Sequence, residues 1–179
     1  VDEIIDDKNK SKILNYGNKL AGDVSQEFKL EGQFAKKVGW TDFLAGCAHT
    51  WINKELNQKI TKFNIIESWI VRQFENEYNP VHHHSGHLSG AGYLKVPSSF
   101  GTYVQDKDKN YQGGNLNLIH GSRQFLSSSL YQIKPKVGDF YFFPNYLMHT
   151  VFPFKDTKEE RRSISFNAKI DDSIYDIYT

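Results

Sequence analysis

The 179-residue chain has one cysteine, Cys47, and no apolar run long enough to cross a membrane. A single thiol excludes a disulfide framework and a cysteine-rich zinc site, and the missing apolar run excludes a membrane-spanning helix. Net charge is nearly absent as well, because 22 basic residues balance 21 acidic ones. This balance gives no nucleic-acid signature. Residues 1–10 do not resemble a secretory signal, so the sequence predicts a cytoplasmic protein.

Aromatic residues are plentiful, at 15% of the chain, and exclude wholesale disorder. Residues 1–60 favour helices, and apolar residues at three- and four-residue spacing predict a helix over 40–52. Beyond residue 61, short segments of β-branched and aromatic residues separated by turn residues predict strands. The predicted strands are 65–74, 90–96, 115–119, 139–143 and 163–167.

The predicted fold is therefore mainly β with N-terminal helices, as an antiparallel sandwich or barrel. The whole chain, 1–179, is predicted to form one domain. A helical lead-in over 1–60 would pack on a sheet region over 61–170, and residues 171–179 would form a tail.

Four of the seven histidines lie between His82 and His87. On a strand, alternate side chains share a face, so His82 and His84 would point together and form half of a metal site. The best candidate for a third ligand is His149, which follows an aromatic strand. A solvated histidine loop is the alternative interpretation, and His83 and His87 are predicted not to be ligands.

Strand alternation also divides residues 161–167 into a polar and an apolar face. The polar face predicts the wall of a wet pocket, where a guanidinium offers a fork of donors suited to a carboxylate. An ion pair of Arg161 with Glu159 or Glu160 at the surface is the alternative. The polar face carries Arg161, Ser163, Ser165 and Asn167, and the other face carries Arg162, Ile164 and Phe166.

Taken in order, these motifs resemble the iron(II)/2-oxoglutarate-dependent oxygenases, and more narrowly their small bacterial and phage members. The resemblance covers roughly residues 65–170 and rests on four segments: 79–86, 88–97, 138–144 with His149, and 161–167. It implies a double-stranded β-helix, the jelly-roll core also found in cupins, with Fe(II) bound at its open end. A phage-encoded member would act in the host cytoplasm.

The resemblance also implies which side chains form the site. His82 and His149 match the two metal-binding histidines, whereas His84 stands where the wider superfamily usually has Asp or Glu. Either three imidazoles bind the metal, or a carboxylate or water replaces His84. The predicted 2-oxoglutarate site consists of Arg161, Ser163, Tyr93 and Asn167, with Arg162 left open as the alternative arginine.

The implied function is that of a dioxygenase which consumes 2-oxoglutarate and oxygen, releases succinate and CO2, and hydroxylates an unidentified substrate. A cupin-type three-histidine metalloprotein is one alternative, although Leu88 and Ser89 stand where the cupin motif needs a Glu. A non-enzymatic binding module on the same fold is another. The loop over 98–114 is the predicted substrate contact, and a homodimer is left open.

Overall fold

Over residues 1–176, the computed structural model contains five helices, a 3-10 turn at Gly17–Lys19 and nine strands. Residues 177–179, the end of the predicted tail, lie outside the described residues. The helices are α1 (Asp2–Ile5), α2 (Lys8–Ile13), α3 (Gly32–Lys37), α4 (Trp40–Leu56) and α5 (Asp172–Tyr175). The strands are β1 (Gln26–Lys29), β2 (Phe63–Gln73), β3 (Asn79–His82), β4 (Leu88–Lys95), β5 (Leu116–Ile119), β6 (Leu130–Ile133), β7 (Phe140–Pro144), β8 (Met148–Val151) and β9 (Arg161–Ile170).

The strands form two antiparallel sheets that pack face to face. One sheet has the order β1-β2-β9-β4-β7 and the other has the order β3-β8-β5-β6, so successive strands often lie in different sheets. Apolar side chains from both sheets meet between them: Tyr93, Leu116, Ile133, Phe143 and Val151. This arrangement is a double-stranded β-helix, and it confirms the mainly β fold with N-terminal helices predicted from the sequence.

Helix α4 covers the outer face of the five-stranded sheet, as its apolar periodicity predicts. Leu44, Ala48 and Ile52 pack against Phe166 and other residues of β9. The ring of Phe140 packs directly against the backbone of β4 at Gly92. A Cβ at this position would lie 2.0 Å from Cδ2 of Phe140, so a side chain would clash with the ring. None of the helices in the described part of the chain has the length and apolar character needed to cross a bilayer.

The five predicted strands are all present, but four short strands were not predicted. Strand β1 lies inside the segment 1–60 that was predicted as helical, and it forms the edge of the five-stranded sheet. It is too short and too polar to show a strand period, and its pairing with β2 determines its conformation. Strand β3 contains Pro80, which argues against a strand in sequence analysis. Strands β6 and β8 span only four residues each.

Replacing Phe166 by alanine should strongly destabilise the fold. Its side chain is 0% exposed and contacts the rings of Phe63, Phe140 and Phe142. Losing a buried phenyl ring typically costs about 3–5 kcal/mol, and we expect a loss of that order in the free energy of unfolding by urea. Phe125→Ala is the matched control, because Phe125 is 93% exposed and its removal should change stability by less than about 0.5 kcal/mol.

Candidate metal and cosubstrate site

A cavity lies between the two sheets and brings together most of the polar residues predicted for the site. Its apolar walls are Trp69 and Val71 from one sheet and Leu116 and Val151 from the other. Such walls keep water away from polar groups and strengthen their electrostatic interactions. The polar lining residues are Glu27, Asn79, His82, His84, His149, Arg161, Ser163 and Ser165.

Three histidines converge at one side of this cavity. His82 on β3 pairs directly with His149 on β8, and His84 follows two residues after the end of β3. One ring nitrogen from each lies within 4.8 Å of the other two, and the Nε2 atoms of His84 and His149 are 3.1 Å apart. Adjacent ligands of an octahedral metal with bonds of ~2.1 Å are about 3 Å apart, so the spacing suits a divalent transition metal.

The ligand cluster consists of imidazoles alone. Within residues 1–176, the group that could hold a metal contains His82, His84 and His149 and no carboxylate. His83 is exposed and does not belong to it, and His87 lies elsewhere, stacked on Tyr175 with ring centroids 4.0 Å apart. The geometry therefore favours three nitrogen donors over the alternative in which a protein carboxylate replaces His84.

Backbone carbonyls orient two of the three rings. Nδ1 of His82 lies 2.7 Å from the carbonyl oxygen of Pro80, and Nδ1 of His149 lies 2.8 Å from that of Leu147. A carbonyl only accepts, so each Nδ1 carries the proton and donates. The lone pair is then on Nε2, directed at the cluster, which is the tautomer that a metal ligand needs.

Asn145 positions the third ligand, because the backbone at His84 is not part of a strand. The His84 N–H donates to the carbonyl of Asn145 over 2.9 Å, and the Asn145 amide donates back to the carbonyl of His84 over 3.2 Å. The Tyr175 hydroxyl on α5 donates to the side-chain oxygen of Asn145 over 2.8 Å. Tyr175 on the C-terminal helix is thus linked to the candidate ligand His84 through the side chain of Asn145.

Burial keeps all three imidazoles neutral over a wide pH range. Desolvation, together with repulsion from neighbouring imidazoles, lowers the pKa of His84 to about 3. Desolvation lowers the pKa of His149 to about 4 and also lowers that of His82. Because protons compete with metals for these nitrogens, low pKa values favour metal binding.

Arg161 lies on the cavity face of β9, as the strand alternation predicts. It is 2% exposed, its Nε donates to the carbonyl of Gly114 over 3.1 Å, and its guanidinium lies 5.0 Å from the centre of the Tyr93 ring. None of the ion pairs among the described residues includes it. The Tyr93 hydroxyl is also buried beside Arg161, and it donates to no acceptor among residues 1–176. An acceptor from a ligand would satisfy both groups.

The other arginine of the pair lies on the opposite face of the strand. Arg162 forms ion pairs with Asp2 and Glu160, and therefore is not available to a ligand in the cavity. Glu159 instead accepts hydrogen bonds from Ser98. Because Arg161 is buried and pairs with neither acid, the alternative of a surface ion pair with Glu159 or Glu160 is wrong.

Asn167 was predicted to bind 2-oxoglutarate, and this role stays a prediction. Its amide already has partners on both sides. The amide nitrogen donates to Glu67 over 2.7 Å, and the amide oxygen accepts from the Ser89 hydroxyl over 2.8 Å. The strand alternation predicts the face on which Asn167 lies. It does not predict that side chains of the neighbouring strands β2 and β4 form hydrogen bonds with its amide.

Two residues of the site region carried no usable signal in the sequence. Glu27 lines the cavity from β1, a strand that was itself missed, and Asn145 lies in the turn between β7 and β8. A single acid in a polar segment and a single asparagine in a turn are both common without any function. Only the tertiary pairing brings them to the site.

The profile of the family described as "Putative 2OG-Fe(II) oxygenase" matches residues 67–167, more than half of the chain. The chain belongs to this family. Its metal cofactor is accordingly Fe(II), and its cosubstrates are 2-oxoglutarate and molecular oxygen. A comparison with curated protein sequences gave no match.

Solved structures support the fold. A viral collagen prolyl hydroxylase from Paramecium bursaria Chlorella virus-1 is 17% identical with a TM-score of 0.55, covering 83% of this chain and 80% of its own. HygX from Streptomyces hygroscopicus, solved with nickel, 2-oxoglutarate and hygromycin B, is 12% identical with a TM-score of 0.55, covering 92% and 77%. A 2OG-Fe(II) oxygenase family protein from Burkholderia pseudomallei is 10% identical with a TM-score of 0.56, covering 88% and 76%. At these identities, the likeness concerns the double-stranded β-helix alone.

The low pKa values of the cluster predict a metal affinity that depends little on pH. Three ordinary imidazoles with pKa near 6.5 would lose about tenfold each between pH 7.5 and 5.5, or roughly a thousandfold together. Here the pKa values of about 3 and about 4 lie below that window, so we expect a loss of less than about tenfold. Electron paramagnetic resonance of free Mn²⁺, titrated as a redox-stable substitute for Fe(II), measures the affinity. A thousandfold loss would contradict the burial argument.

Proposed function

We propose that this chain is an Fe(II)- and 2-oxoglutarate-dependent dioxygenase that hydroxylates an as yet unidentified substrate and releases succinate and CO2. His82, His84 and His149 are the proposed metal ligands. Arg161 and Ser163, together with Tyr93, are the proposed contacts for the distal carboxylate of 2-oxoglutarate.

One observation carries this proposal beyond family membership: the guanidinium of Arg161 is buried in the cavity of the three histidines, and no acid among residues 1–176 forms an ion pair with it. Burying an unpaired cation is costly, and desolvation lowers the pKa of Arg161 accordingly. A carboxylate from a ligand would offset that cost with a charge-assisted, two-pronged hydrogen bond. 2-Oxoglutarate has such a carboxylate at the end opposite to its metal-binding keto acid.

Bound Fe(II) would supply the redox chemistry that couples decarboxylation of 2-oxoglutarate to hydroxylation, with one oxygen atom entering succinate and the other the substrate. The protein has three tasks around it. The carbonyls of Pro80 and Leu147 hold the rings of His82 and His149 in the ligating tautomer. Arg161 fixes the far end of the cosubstrate and thereby its orientation. The apolar walls exclude water from the reacting groups.

Tyr93 and Ser163 are neighbours in the register of β4 and β9, and both side chains lie on the cavity side of the sheet. The buried Tyr93 hydroxyl has a free donor, and burial raises its pKa, so it stays protonated at neutral pH. Two hydroxyl donors beside a guanidinium provide hydrogen bonds for both oxygens of a carboxylate. This set would hold 2-oxoglutarate without making contact with the metal.

The proposal is tested by succinate formation from 2-oxoglutarate with Fe(II) and oxygen, measured by mass spectrometry with and without candidate substrates. Turnover should be lost in His82→Ala and His149→Ala together with bound metal, while His83→Ala, an exposed neighbour, should behave like the wild type. If the wild type binds metal but not 2-oxoglutarate, the oxygenase proposal is wrong. A cupin-type metalloprotein or a binding module would then be favoured.

Arg161→Ala should weaken 2-oxoglutarate binding by roughly 100-fold, or about 2.7 kcal/mol, because the cosubstrate carboxylate would lose its two-pronged partner in a buried site. Mn²⁺ affinity should stay within about threefold, since the guanidinium is not a ligand. Anaerobic calorimetric titration of 2-oxoglutarate into the Mn²⁺-loaded protein measures the change.

Arg162→Ala is the matched control for that substitution. It removes an arginine one residue away whose partners are Asp2 and Glu160 on the outer face. It should lower stability, because its partner Glu160 is buried, and leave the dissociation constant of 2-oxoglutarate within about twofold. If Arg162→Ala weakens binding and Arg161→Ala does not, the proposed cosubstrate site is wrong.

A further inference from the structure

A second titratable side chain without an ion-pair partner among residues 1–176 lines the same cavity and has no role in the proposed reaction. Glu27 on β1 is 2% exposed and lies opposite Val71 of β2, which in turn lies opposite Ser163 of β9. The three residues therefore occupy one row across the inner face of the sheet. With strands ~4.8 Å apart, Glu27 lies about 10 Å from Ser163, to the side of the proposed 2-oxoglutarate site.

The carboxyl group of Glu27 lacks the partners that a buried acid normally has. Its Oε2 has no hydrogen-bond partner, and within residues 1–176 no ion pair includes it. The charge that influences it most is another acid, Glu77. Desolvation, with this repulsion added, raises the pKa of Glu27 to about 8. Such a group destabilises the fold unless a ligand supplies a partner.

The surroundings of Glu27 favour a cation as that partner. Both oxygens of Glu77 already accept backbone hydrogen bonds, from Ser25 and Phe74, so its negative charge stays nearby without being neutralised by a cation. The backbone at Gly22 lies against the other side of the carboxyl group, where a Cβ would be 2.9 Å from Oε1. The backbone at Gly17 lies near Oε2, where a Cβ would be 3.5 Å away, and the Glu27 side chain is among those that line the cavity.

We propose that Glu27 is the specificity residue for the prime substrate and that it binds a protonated amine of that substrate. This inference rests on the proposed function, because it takes the cavity to be the active site. Arg161 would bind the anionic cosubstrate and Glu27 the cationic substrate, on separate strands of one sheet. The two ligands would then be distinguished by charge and could occupy the cavity together.

The test uses n-propylammonium as the probe and 1-propanol as its neutral counterpart of similar shape. Each is titrated into the full chain loaded with Mn²⁺ and 2-oxoglutarate, and the paramagnetic relaxation of the probe protons reports binding near the metal. We expect n-propylammonium to bind roughly tenfold more tightly than 1-propanol, as a charge-assisted hydrogen bond is the stronger one. Glu27→Gln should remove most of that preference and leave 1-propanol binding unchanged.

Glu31→Gln is the matched control, since it makes the same chemical change at an exposed position close to β1. It should bind n-propylammonium like the wild type. Equal binding of the two probes by the wild type, no binding of n-propylammonium, or unchanged affinity in Glu27→Gln would each overturn the proposal. The comparison of the two probes on the wild type decides the matter even if Glu27→Gln does not fold.

Failure of this inference can be distinguished from failure of the oxygenase proposal. If 2-oxoglutarate binds and n-propylammonium does not, only the role of Glu27 is wrong. If 2-oxoglutarate does not bind, the oxygenase proposal is wrong, and the titration is repeated with Mn²⁺ alone. A preference for n-propylammonium that is lost in Glu27→Gln would then still identify the amine site, and its absence would overturn it.

Discussion

Strand β9 must satisfy two environments at once, and the alternation of its side chains makes this possible. Ile164 and Phe166 pack beneath the helical layer, while Arg161, Ser163 and Ser165 face the cavity between the sheets. A shift of one residue in register would bury the guanidinium under the helices and expose the phenyl ring to the cavity. Hydrophobic packing on the outer face therefore determines where the cationic end of the cavity lies, so fold stability and cosubstrate binding depend on the same strand register.

The candidate metal cluster depends on a different constraint, the pairing of β3 with β8 in the other sheet. That pairing places His82 and His149 opposite each other, so two donors are fixed by the sheet itself. The third donor, His84, lies beyond the strand and is held by Asn145, which is in turn held by Tyr175. The cluster therefore joins the four-stranded sheet, the turn between β7 and β8 and the C-terminal helix. Metal binding should consequently stabilise contacts between parts of the fold that are far apart in the sequence.

Sequence reasoning succeeded where a local pattern carries the information. Alternation along β9 and the three- and four-residue spacing in α4 are local patterns of that kind, and both elements form as predicted. The short strands β1, β3, β6 and β8 were not predicted, because pairing with neighbouring strands determines their conformation. The side chain of Asn167 is another case in which contacts between strands could not be predicted from a local pattern. Its face was predictable, but its partners, Glu67 and Ser89, lie on other strands.

The cavity holds a buried arginine and a buried acid that do not pair with each other. Within residues 1–176 no ion pair includes Arg161 or Glu27, although both lie on the inner face of one sheet. Moving the two together into an ion pair would lessen the cost of burial, yet it would leave neither group available to a ligand. Their separation is thus consistent with two ligands of opposite charge bound side by side. In this interpretation the two unpaired groups lower the free energy of unfolding, and binding of the two ligands raises it.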